Sequence, residues 1–102
     1  MDVCYYNNQI REELDGATAY IQKAITLKKD RPQWANMYIK MGVAELEHAS
    51  TLVKIFEDDY KLLTTNMPEI PSYLSGIRDS LLGMYAEFSA KAKYLHETYD
   101  GM

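Results

Sequence analysis

Cysteine is almost missing from this sequence. Cys4 is the only one in 102 residues, so no internal disulfide can form, and a reducing cytoplasm is the expected compartment. A basic surplus is missing too: 11 Lys and Arg stand against 15 Asp and Glu, a formal charge of −4. Nucleic-acid binding needs clustered cations to neutralise phosphates, and nothing here supplies them. No apolar run approaches the ~20 residues of a membrane span. The opening stretch Met1 to Asn8 carries neither the basic nor the apolar segment of a signal peptide. There is no glycine-rich phosphate loop, no Cys–His pair and no Ser–His–Asp set. Strand-like alternation is missing throughout. What remains is 47% hydrophobic and 25% charged, an ordinary balance for a globular chain long enough to bury one core, and a single domain over 1–102 is expected.

The few prolines are informative. Pro32, Pro68 and Pro71 divide the chain into three segments with helical periodicity. In the first, Val3, Ile10, Leu14, Ala17, Ile21, Ala24 and the stem of Lys28 recur at spacings of three, four and seven, one face of a helix. Lys28 and Lys29 place cations at its carbonyl end. Asp30 is the expected cap of a second helix, with Pro32 in its first turn and Gln33 reaching back. Trp34, Met37, Met41, Leu52, Ile55, Phe56 and Leu63 form the second apolar face. Ser72 is the expected cap of a third helix, on which Leu74, Ile77, Leu81, Met84, Phe88 and Leu95 form a stripe ending near Gly101. The sequence thus predicts an all-α chain of three long antiparallel helices, over about 3–29, 31–63 and 72–99. Gly16, Gly42, Gly76 and Gly83 fall inside them, as tolerated glycines or as points of close helix approach.

Two polar residues stand on the second apolar face. Glu45 and His48 share the stripe of Met41 and Leu52 and are expected at its buried centre, where an unpaired carboxylate costs several kcal/mol. At i and i+3 they point the same way and can hold one ion, iron, manganese or zinc. Glu13 lies on the flank of the first apolar face, above Ala17 and Tyr20, and offers a third ligand. A satisfied Glu–His pair inside a bundle is the other reading of the same pattern. On the third helix Glu87 and Tyr94 repeat the seven-residue spacing of Glu13 and Tyr20. Glu87 is either a further ligand or a solvated flank residue. His96 has Lys93 three positions before it and is expected to be an exposed histidine.

Glu13-x6-Tyr20 followed by Glu45-x-x-His48 resembles the first half of a ferritin-like or rubrerythrin-like domain, over Ile10 to Phe56. The first two helices also resemble encapsulated ferritins. The resemblance implies Glu13, Glu45 and His48 as metal ligands, Glu87 as the third-helix ligand and Tyr20 beside the site, tuning a ligand or donating an electron. It implies a pair of iron or manganese ions, with O₂ or peroxide as co-substrate and ferroxidase or peroxide-reducing activity. The family's fourth helix and its second Glu-x-x-His are missing, as is the cysteine-rich electron-delivery module of rubrerythrins proper. A ferritin-like bundle is then expected to be completed by oligomerisation, two copies each giving Glu13, Glu45 and His48. A metal-free helical module acting in assembly or regulation is the rival expectation.

Overall fold

The structure is a computed structural model describing residues 1–102. It is all-helical: α1 runs Val3–Leu27, α2 Pro32–Thr64 and α3 Ser72–Asp100. Contacts between helices give the directions. Tyr6 meets Asp59 and Glu13 meets His48, so α2 runs antiparallel to α1. Arg11 lies over the Phe88 ring and Lys28 over Tyr99, so α3 runs parallel to α1. The order is up, down, up. α1 packs against both other helices, whereas α2 and α3 touch little.

The result is a rod of 59 × 17 × 16 Å with a radius of gyration of 16.6 Å, where a compact chain of this length would have about 13 Å. Only 16 of 102 residues are buried, so much apolar surface stays in contact with water. Phe56, Ile10, Leu14, Ile21 and Leu81 are the largest fully buried side chains. The expected α1 face forms as predicted, with Ile10, Leu14, Ala17, Ile21 and Ala24 buried.

The expected face of α2 does not. Trp34 is 55% exposed, Met37 63%, Met41 42%, Ile55 46% and Leu63 40%. Of the expected face only Phe56 is buried, with Leu52 half-buried against the core; the other buried positions are Ala35, Ile39, Gly42, Ala49 and Tyr60. The cause is packing distance. Small residues let α2 approach α1 closely, and a Cβ placed on Gly42 would lie 2.7 Å from Ile21 Cγ1 and 3.2 Å from the Ala17 carbonyl oxygen. The bulky stripe therefore stands at the edge of the contact. Gly83 meets nothing within 4 Å. Gly83→Ala is expected to stabilise the chain by about 0.5–1 kcal/mol through helix propensity. Gly42→Ala gains the same propensity but overpacks a closed contact at about 1–3 kcal/mol, for a net loss near 1 kcal/mol. Urea denaturation of the two variants beside wild type checks the opposite signs.

Four helix ends also differ from expectation. Asp30 does not cap α2. Arg31 holds the N-cap position with φ −140° and ψ 63° and no side-chain bond, because Pro32 fixes the first helical residue and pushes the one before it out of the helical region. Ser72 is the first residue of α3 rather than its cap, a position taken by Pro71. The cap that does form was not anticipated: Asp2 accepts a 3.0 Å hydrogen bond from the Tyr5 backbone N–H. Lys28 ends α1, but its ammonium group donates to the Tyr99 carbonyl at the end of α3, so the cation serves a neighbouring helix terminus. His96 is half-buried rather than exposed, with Nε2 3.6 Å from Asp100 Oδ2.

Candidate metal centre

The middle of α1 faces the middle of α2, and three of the expected ligands meet there. One ligand atom each from Glu13, Glu45 and His48 lies within 4.8 Å of the other two. His48 Nδ1 is 3.4 Å from Glu13 Oε2 and 3.9 Å from Glu45 Oε1. The two carboxylates are half-buried, with side-chain exposures of 24% and 26%, while the imidazole is 60% exposed. The expectation that Glu45 and His48 occupy a buried centre is thereby corrected. They stand on the edge stripe with Trp34, Met37 and Met41, and the group opens to solvent.

Glycine makes the room. A Cβ on Gly16 would lie 3.0 Å from Glu45 Oε2, so the carboxylate of α2 rests on the bare backbone of α1 one turn after Glu13. Two carboxylates this close repel when both are ionised. The Glu45 carboxyl is pushed up to about 7, first by a hydrogen bond with Glu13, then by burial and by the Glu13 charge, with His48 acting in the opposite direction. A proton on Glu45 relieves that repulsion, so Glu45 holds its proton more readily than an ordinary carboxyl, up to about pH 7.

The remaining expected site residues lie apart. Tyr20 is half-buried along the same edge of α1. Its ring packs against Tyr38 at 6.1 Å between centroids, and it makes no hydrogen bond to Glu13 or Glu45. Glu87 is exposed on α3 and outside the group, and Tyr94 is 68% exposed. The repeated Glu-x6-Tyr spacing thus has two surroundings, one against α2 and one in water. Beside the ligand group, Trp34, Met37, Tyr38 and Met41 line an open groove of about 350 Å³. Gly16 and this groove are the features that residue spacing alone did not attach to the site, since their role depends on which helix lies opposite.

The donor set fits a first-row divalent metal. Carboxylate oxygen and imidazole nitrogen suit iron, manganese and zinc, and three ligands on two rigid helices leave further coordination positions open. Comparison with protein families, with curated proteins and with solved structures finds no match to this chain. No helix is long and apolar enough to cross a membrane.

Proposed function

We propose that the chain is a ferritin-like carboxylate protein that binds iron or manganese at Glu13, Glu45 and His48. The observation that supports this is the convergence of two carboxylates and one imidazole, from two helices, within 4.8 Å. A bound metal pair would supply electron exchange with O₂ or peroxide, as in ferroxidase oxidation of Fe(II) or reduction of peroxide. The chain's own residues have defined tasks. Glu13 and Glu45 present hard oxygen ligands, and Glu45 gives up the proton it holds up to about pH 7 as metal enters. Gly16 leaves space for the Glu45 carboxylate, and Tyr20 lines the edge beyond it.

One chain offers two carboxylates and one histidine, half of the set in a di-iron carboxylate bundle. A second copy related by a two-fold axis supplies the same three residues and completes it. Iron is then bound at one ion per chain. Fe(II) is added aerobically to metal-free protein, with near-ultraviolet absorbance and elemental analysis as readouts. Uptake of one iron per chain in a species sedimenting as a dimer supports the shared site; two irons in a monomer would sink it.

A second reading rests on a specific observation: His48 Nδ1 already lies 3.4 Å from Glu13 Oε2, so the group is partnered within itself without metal. The chain would then be a helical module for assembly or regulation. Absence of specific iron or manganese uptake favours it.

A further inference from the structure

The edge stripe of α2 is symmetric about the ligands it carries. The midpoint of Glu45 and His48 lies between residues 46 and 47, with exposed Met41 and half-buried Leu52, which also packs on the core, equally spaced on either side of it. Met37 and Ile55 follow, centred on residue 46, half a residue from that midpoint; they are 18 residues apart, which is five helical turns, so both lie on one line of the helix surface. Both are exposed, at 63% and 46%. A two-fold contact requires a surface that matches itself, residue i meeting j and j meeting i. This stripe meets that condition when two α2 helices lie antiparallel and cross near Glu45 and His48.

Charge is divided the same way. Around the α1–α2 turn, Lys23, Lys28, Lys29, Arg31 and Lys40 stand with Asp30, and the end of α3, held there by Lys28 on Tyr99, adds Glu97 and Asp100, so cations outnumber anions. At the opposite end of the hairpin, Asp2, Asp58, Asp59 and Glu69 outnumber Lys54 and Lys61, and Glu57 is already held by Arg78 at 2.7 Å. Antiparallel copies bring the basic end of each beside the acidic end of the other. Parallel copies would align like with like.

We infer that the free chain pairs with a second copy of itself, antiparallel along the α2 edge stripe, and that this pairing does not require metal. The inference rests on the shared-site reading for its partner but not for its driving force, which is the apolar stripe flanked by opposite charges. Met37 of one copy lies against Ile55 of the other. By contrast Met37 is about 27 Å from its own symmetry mate, at 1.5 Å per residue and nine residues from the axis.

Disulfide mapping in chelator tests this. In a Cys4→Ser background, single variants Met37→Cys and Ile55→Cys are oxidised separately and as a mixture. A disulfide needs Cα atoms within about 7 Å, so the mixture is expected to give the cross-linked heterodimer and each variant alone to stay uncross-linked. Self-cross-linking of Met37→Cys means a parallel pair and overturns the inference, as does a monomer in sedimentation at every concentration tried. Met37→Glu, at an exposed position, keeps the helical circular dichroism and weakens the dimer by at least about 100-fold, since it buries an unpaired charge in each half of the contact. An unchanged dimer constant also overturns the inference. Pairing without iron uptake refutes the metal reading alone, whereas uptake by a monomer refutes the pairing alone.

Discussion

Replacing Glu45 and His48 together by alanine is expected to lower the affinity for Fe(II) by at least about 100-fold while the three helices remain. The magnitude follows from the position of the two residues. Loss of groups that merely orient a metal ligand typically costs 10–100-fold, and here two of three ligands per chain are removed outright. The fold tolerates the change because neither side chain contributes to the core. His48 is 60% exposed, and the Glu45 carboxylate repels Glu13 unless a proton intervenes. Alanine also favours the helix at both positions. Iron bound per chain, by elemental analysis after gel filtration, is the measurement, with circular dichroism as the control for folding. Equal uptake by wild type and the double variant ends the metal reading. Glu87→Ala provides the contrast. Its carboxylate lies in solvent outside the ligand group, and its removal is expected to leave iron uptake unchanged.

The three-helix order was legible because prolines and helical periodicity act locally, and on α1 a single apolar face left no choice. On α2 two candidate faces compete. The bulky one, Trp34, Met37, Met41 and Ile55, draws the reading because transfer free energy grows with apolar area. The face that packs shares Phe56 with the bulky one but is otherwise built from Ala35, Gly42 and Ala49 around Ile39, and small side chains win because they shorten the distance between helices. A sequence with both faces does not say which one meets α1. The metal ligands suffered less from this ambiguity. Glu45 and His48 are neighbours on any helix, and Glu13 reaches them from the edge whichever face is inside. Their exposure depended on the choice of face, and so did the contact between Gly16 and Glu45. Glu87 illustrates the limit of spacing arguments: the same Glu-x6-Tyr interval faces α2 in one helix and water in another.

The raised Glu45 carboxyl leads to the second large effect, on stability against pH. The Glu45 carboxyl is raised from 4.5 to about 7 in the folded chain. Between these values the folded state binds more protons than the unfolded one, so stability falls as pH rises. The contribution is fully present below about 4.5 and is lost as pH passes through about 7. Glu45→Gln offers Glu13 an amide donor but carries no charge at any pH. The variant is therefore expected to match wild type near pH 4.5 and to exceed it at pH 8. The difference is on the order of 2 kcal/mol, reduced from the full shift because the carboxyl is still partly hydrated. Urea denaturation in chelator at the two pH values measures it; a constant difference would mean that the Glu45 carboxyl is not raised. Metal reverses the slope. A cation takes the place of the proton, binds more tightly as pH rises, and stabilises the chain most where the free protein is weakest. Wild type saturated with Mn(II) is thus expected to gain stability between pH 5 and pH 8, while Glu45→Gln, lacking one ligand charge, gains much less. A carboxyl pair that destabilises the empty fold at neutral pH and stabilises the loaded one is what an ion-binding group requires, and a purely structural Glu–His pair would show only the first half of that behaviour.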